Sequence, residues 1–156
     1  MTLLVFDLDF TLWDAGGTWC DHTRPPYSIR NGNIYDADNS HIRLYPDVRP
    51  LLEELRQKEI PMAIASRTGA PDWARELLAL FDIRHYFEHE EIYPANKTRH
   101  FRRIATDSGI AFSDMIFFDD EYPNIRDISA LGVHAVHVRN GVTRSMVMDA
   151  IRNSTS

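Results

Sequence analysis

The feature that most restricts how this chain can fold is Leu3-Leu4-Val5-Phe6, an unbroken apolar run that stops abruptly at Asp7. Such a run has no polar face, so it suits a strand buried on both sides, as at the centre of a parallel sheet. The pattern recurs in Met62-Ala63-Ile64-Ala65, Met115-Ile116-Phe117-Phe118 and Val133-His134-Ala135-Val136-His137-Val138, each followed by polar residues or a turn. Helix-like stretches separate the runs: Val48 to Lys58, Trp73 to Leu80, Lys97 to Ser108 and Asn124 to Leu131, with a further one from Ser145 to Asn153. In the first of these, Val48, Leu51, Leu52 and Leu55 recur at the spacing of one helical face. Pro71-Asp72 and Pro123-Asn124 are helix starts, and Gly109 and Gly132 are stops. Strands alternating with helices in this way imply an α/β fold built on a doubly wound parallel sheet.

The stretch from Asp14 to Tyr45 breaks the alternation, being punctuated by Gly16-Gly17, Pro25-Pro26, Asn31-Gly32 and Asp38-Asn39. Asn31-Gly32 is a hairpin-turn signal, and Ile34, Ile42 and Leu44 suit short strands. We read residues 14–45 as a loop or small β-flap above the first strand, of a length that usually carries function. With 156 residues, 44% of them apolar, the chain has material for one core and too little for two, so a single domain over 1–156 is expected. Ser154-Thr155-Ser156 reads as a frayed tail.

A net charge of −6, with arginines scattered among acids, argues against a nucleic-acid partner. No apolar run approaches the roughly 18 residues of a membrane span. Cys20 is the only cysteine, which excludes an intrachain disulfide and suits a cytoplasmic location. It is also no phosphatase nucleophile, since no arginine-closed phosphate loop follows it.

Ligands of open α/β sheets bind beyond the carboxyl ends of the strands, which gives weight to acids placed there. Asp7 and Asp9 follow the first strand, and Asp119, Asp120 and Glu121 follow Phe117-Phe118. If the two strands are neighbours, these carboxylates converge and their repulsion calls for a cation. A set of hard oxygen ligands without histidine favours Mg2+ over zinc, and with it phosphoryl transfer. Ser66, ending its strand, and Lys97, opening a helix, stand where a hydroxyl and an ammonium would meet phosphoryl oxygens. His85 and His89 are four apart, but Tyr86-Phe87-Glu88 between them reads as a short strand and no third ligand accompanies them.

Taken in order, Asp7-Leu8-Asp9-Phe10-Thr11, Ser66, Lys97 and Asp119-Asp120 resemble the four motifs of the haloacid-dehalogenase (HAD) superfamily. Within it, Leu44-Tyr45-Pro46-Asp47-Val48, Ala65-Ser66-Arg67-Thr68 and Phe117-Phe118-Asp119-Asp120-Glu121 resemble the eukaryotic-type magnesium-dependent phosphatases. The resemblance implies a HAD-like Rossmannoid core and a phosphomonoester hydrolase working through an aspartyl-phosphate. Asp7 is then the nucleophile and Asp9 the acid/base; Mg2+ is held by Asp7, the backbone carbonyl of Asp9, and Asp119. Asp120 stands just outside, orienting Lys97 or a metal-bound water. Ser66, Lys97 and Arg67 contact the substrate.

Many HAD proteins carry a large cap domain. Here residues 14–45 hold only a flap, and the interval from Ser66 to Lys97 is filled by a helix and short connections, so a capless core with an open cleft is expected. Such a cleft admits a phosphorylated protein side chain or a small-molecule ester such as a sugar phosphate. Trp13, Trp19 and Tyr27 offer an aromatic wall for phosphotyrosine, with Trp13 equally suited to the core. The oligomeric state is left open, a monomer being the simplest expectation. The alternative is an inactive phosphate-binding or scaffolding module of the same fold, against which the intact Asp7, Asp9, Lys97 and Asp119 speak.

Overall fold

The structure is a computed structural model that describes residues 1–154. Its strands, in chain order, are β1 (Leu3–Phe6), β2 (Trp13–Asp14), β3 (Ser28–Arg30), β4 (Asn33–Tyr35), β5 (His41–Leu44), β6 (Met62–Ser66), β7 (His89–Ile92), β8 (Met115–Asp119) and β9 (His134–His137). The helices are α1 (Val48–Gln57), α2 (Pro71–Leu80), α3 (Lys97–Ser108), α4 (Tyr122–Ser129) and α5 (Arg144–Ser154).

Five strands pair in the order β7-β6-β1-β8-β9, all parallel. The first apolar run lies at the centre, Val5 being in register with Ala63 on one side and Phe117 on the other. Alternate residues feed two cores. Leu4, Phe6, Ile64 and Phe118 pack with the buried faces of α1, α2 and α5, whereas Leu3, Val5, Ala65 and Phe117 pack with α3 and α4. From β1 the chain moves outward through β6 to β7, then returns across β1 to form β8 and β9. Connections therefore leave β1 and β8 in opposite directions, opening a crevice at their carboxyl ends. The doubly wound α/β sheet expected from the sequence is the one observed.

Helix ends follow the local chemistry. Proline occupies the first turn of α2 and of α4, where a missing N–H costs nothing. Asn96 caps α3 by accepting the Thr98 N–H at 2.8 Å, and Gly109, at φ 73°, ends it.

Residues 13–44 contribute a second, antiparallel sheet in the order β2-β5-β4-β3. Asn31 and Gly32 sit at φ 53° and 79°, the paired left-handed conformation of a two-residue hairpin. Buried Asp36 organises the next bend, accepting the N–H groups of Asp38 and Ser40, each at 2.9 Å, and of Arg24 at 3.1 Å. A 3-10 turn at Cys20–His22 ties the flap to the loop after β6, where Asp21 Oδ2 accepts the Gly69 N–H at 3.1 Å.

Some expectations change. Tyr86-Phe87-Glu88 is not a strand: Arg84–Tyr86 forms a 3-10 turn and the strand is His89–Ile92, an edge strand too polar to show an apolar run. Helix α4 begins at Tyr122, two residues before Asn124. Ser154 closes α5 rather than fraying; Thr155 and Ser156 lie outside the described residues. No helix among the described residues is long and apolar enough to cross a membrane.

Candidate active site

Immediately after β1 the backbone makes a tight reversal. Leu8 O accepts the N–H groups of Thr11, Leu12 and Trp13, and Phe10 takes a left-handed φ of 62°. The reversal brings the Asp7 and Asp9 side chains to one cleft of about 300 Å3, shared with Ser66, Arg67 and Lys97. The rest of its wall is Trp19, Asp21, His22, Thr68, Glu121 and Asn124.

Asp9 is pinned by two donors on one oxygen: Trp13 Nε1–H and the Cys20 N–H both reach Oδ1 at 2.8 Å. Burial raises its pKa to about 6 against the opposing pull of these hydrogen bonds. A carboxyl of that strength exchanges a proton near neutrality. Asp7 accepts from Lys97 Nζ at 3.0 Å on Oδ1 and from Thr11 Oγ1 at 3.3 Å on Oδ2. Burial, together with the Asp119 charge, pushes Asp7 well above the usual carboxylate range, and Lys97 opposes that shift.

Lys97 is only 2% exposed. Its ammonium donates to Asp7, to Asp119 Oδ2 at 3.1 Å and to Ala65 O. Burial disfavours the charge, but Asp7 and Asp119 more than offset it and hold the pKa above its ordinary value. Ser66 is buried, and its Oγ accepts the Thr68 N–H at 3.3 Å, leaving the hydroxyl proton free for a ligand. Arg67 is exposed at the mouth.

Asp119 and Asp120 sit in different surroundings. Asp119 is fully buried and its oxygens are occupied: Oδ1 accepts the Glu121 N–H at 2.8 Å, while Oδ2 takes Lys97 and Asn124 Nδ2, the latter at 3.1 Å. Asp120 is partly exposed and lies within hydrogen-bonding reach of Asp7. Oxygens of Asp7, Asp119 and Asp120 all lie within 4.8 Å of one another. Three hard carboxylates at that separation repel each other and fit Mg2+, which prefers few anionic oxygens and retained water.

The aromatic wall is smaller than the sequence suggested. Trp13 is completely buried, stacked on Phe81 with ring centroids 6.0 Å apart, and acts on the cleft only through Asp9. Tyr27 turns its hydroxyl to Thr23 Oγ1 at 2.6 Å and does not line the cleft. Trp19, 46% exposed, does line it, with His22 edge-on at 5.4 Å. Sequence reasoning missed the roles of Cys20 N–H, Trp13 Nε1 and Asn124. Trp13 is four residues from Asp9, the one local spacing that hinted at a contact.

The Acid Phosphatase family profile matches residues 1–156. Human magnesium-dependent phosphatase 1 is 47% identical over 142 residues, covering 90% of this chain and 79% of that protein. An HAD-like hydrolase superfamily protein of Schizosaccharomyces pombe is 35% identical over 143 residues, covering 83% of this chain and 81% of its own. Among solved structures, a haloacid dehalogenase-like hydrolase of Streptococcus pneumoniae superposes with a TM-score of 0.66 at 15% identity, covering 96% of this chain and 90% of that one.

Proposed function

We propose that this chain, which belongs to the acid phosphatase family of HAD hydrolases and is a magnesium-dependent phosphatase, cleaves phosphate monoesters through a covalent aspartyl-phosphate on Asp7. The observation that carries the mechanism is the pairing at the cleft floor. Asp7 faces a buried ammonium, while Asp9, held off it by Trp13 and Cys20, has a carboxyl suited to giving and taking a proton near neutral pH.

In the first step an Asp7 oxygen attacks phosphorus, the ester P–O bond breaks, and Asp9 gives its proton to the leaving oxygen. In the second, Asp9 takes a proton from water as that water attacks phosphorus and the bond to Asp7 breaks, releasing phosphate. Ser66 and Lys97 bind phosphoryl oxygens, and Arg67 reaches the substrate from the mouth. We assign the metal to Asp7, the Asp9 carbonyl and Asp120, with Asp119 positioning Lys97, because the Asp119 oxygens already serve three donors. When bound, Mg2+ offsets the repulsion among these carboxylates and neutralises charge on the phosphoryl group.

The segment between β6 and α3 is occupied by α2 and β7, which supports a capless, open cleft. The open mouth, with Trp19 and His22 on one wall, favours phosphotyrosine or another protein-borne phosphate over a sugar phosphate. Phosphate release from 4-nitrophenyl phosphate, with and without Mg2+, tests the reading. The wild type should be Mg2+-dependent and Asp7→Asn inactive though folded, and beryllium fluoride should form its adduct at Asp7. Activity surviving in Asp7→Asn would sink the covalent mechanism.

A further inference from the structure

Beside the cleft lies a second groove, of about 550 Å3, lined by Glu91, Tyr93, Arg99, Arg102, Arg103 and Thr106. It adjoins the active site directly. The Tyr93 N–H donates to Ser66 O at 3.1 Å, and His100 Nε2 meets Tyr93 O at 3.0 Å, so the groove begins beside the residue that precedes Arg67. The Arg99 guanidinium lies over the Tyr93 ring, 5.4 Å from its centroid. Glu91, the acid of the groove, is engaged by the Tyr93 hydroxyl at 2.9 Å.

In a chain of net charge −6, several arginines face a carboxylate: Arg24, Arg75, Arg84, Arg103, Arg126, Arg144 and Arg152. Arg67 in the cleft and Arg99 and Arg102 in the groove form no ion pair among the described residues, and all three are exposed. Exposed guanidiniums not engaged by a carboxylate keep their bidentate donors available for one.

We propose that Arg99 and Arg102, continuing from Arg67, form a docking shelf for an acidic stretch flanking the phosphoresidue of a polypeptide substrate. This rests on the phosphatase reading above and names its substrate class. Lys97 and Arg102 are separated by about 7.5 Å along the helix axis at 1.5 Å per residue. An extended peptide covers that in roughly two to three residues, which sets the spacing of the acids from the phosphate.

The test uses the full chain with Mg2+ and three phosphotyrosine peptides that differ only in having acidic, neutral or basic residues two to four positions from the phosphate. The wild type should favour the acidic peptide in kcat/KM, by about tenfold over the neutral one if each exposed pair contributes its usual fraction of a kcal/mol and the steering adds to it. Added salt should erase that preference. Arg99→Gln/Arg102→Gln should abolish the preference, and Arg99→Glu/Arg102→Glu should invert it toward the basic peptide, with 4-nitrophenyl phosphate turnover unchanged in both. A wild type indifferent to flanking charge, or variants that slow every substrate alike, would overturn the shelf. A wild type inert toward 4-nitrophenyl phosphate would instead overturn the phosphatase reading, and the docking role with it.

Discussion

Asp9 owes its strength as an acid to a balance between burial and two N–H donors, and that balance is open to single substitutions. Trp13→Phe keeps the ring in its packing place against Phe81 and removes only the indole N–H. Because that hydrogen bond lowers the Asp9 pKa, its loss should move the pH at which Asp9 changes protonation state above about 6. We expect the limb of the pH–rate profile that reports Asp9 to shift upward, kcat to fall by about tenfold, and KM to change little. An unmoved profile would separate Trp13 from the chemistry. His100 offers a second residue-level test. It is buried, its Nδ1 has no partner, and burial lowers its pKa to about 4. The ordinary value, about 6.5, applies to the unfolded chain. The fold therefore favours neutral His100, and the stability present above pH 6.5 is lost as pH falls toward 4. His100→Gln should flatten the dependence of Tm on pH across that window.

Elements hold these residues in place through contacts distant in sequence. The connection from β9 to α5 passes so close to the flap that a Cβ on Gly141 would lie 2.2 Å from Cγ of Tyr45, at a φ of +76°. Nearby, the Val142 N–H donates to Thr11 O at 3.0 Å, which joins this connection to the turn carrying Asp9. Gly141→Ala should destabilise the protein by about 2 kcal/mol or more in denaturant unfolding. Adding Tyr45→Ala should recover part of that loss, since the clash but not the backbone strain is removed. These elements were unequally legible in the sequence. The central strand, the helical faces, the Asn31-Gly32 hairpin and the acids after β1 and β8 were readable because each is written in neighbouring residues. Strand β7 was not, because His89-Glu90-Glu91-Ile92 at a sheet edge needs no apolar run. Nor could spacing reveal that Cys20, inside a loop, would present its N–H to Asp9, or that Tyr27 would turn away from the cleft.

At the scale of the whole molecule, the topology brings acids from β1 and β8 together at the switch point of the sheet. Without a cation the fold confines Asp7, Asp119 and Asp120 within 4.8 Å, and the one ammonium among them, Lys97, is shared by Asp7 and Asp119. The three carboxylates are thus under-neutralised, a repulsion the folded state bears and the unfolded chain escapes. Mg2+ binds only the folded state, so Tm should rise with Mg2+ concentration and fall on chelation, by an amount set by the ratio of free metal to Kd. The same titration distinguishes the two motif-four acids. Asp120→Asn removes a charge from the crowded cluster without depriving Lys97 of a partner, so the metal-free protein should be as stable as the wild type or more so, with a blunted Mg2+ response. Asp119→Asn leaves the Lys97 ammonium with one carboxylate in a buried site, and should lower the metal-free Tm outright while keeping most of the response to metal. If Asp119→Asn abolished the Mg2+ response and Asp120→Asn left it intact, the roles would be exchanged, and Asp119 would be the metal ligand that the sequence suggested.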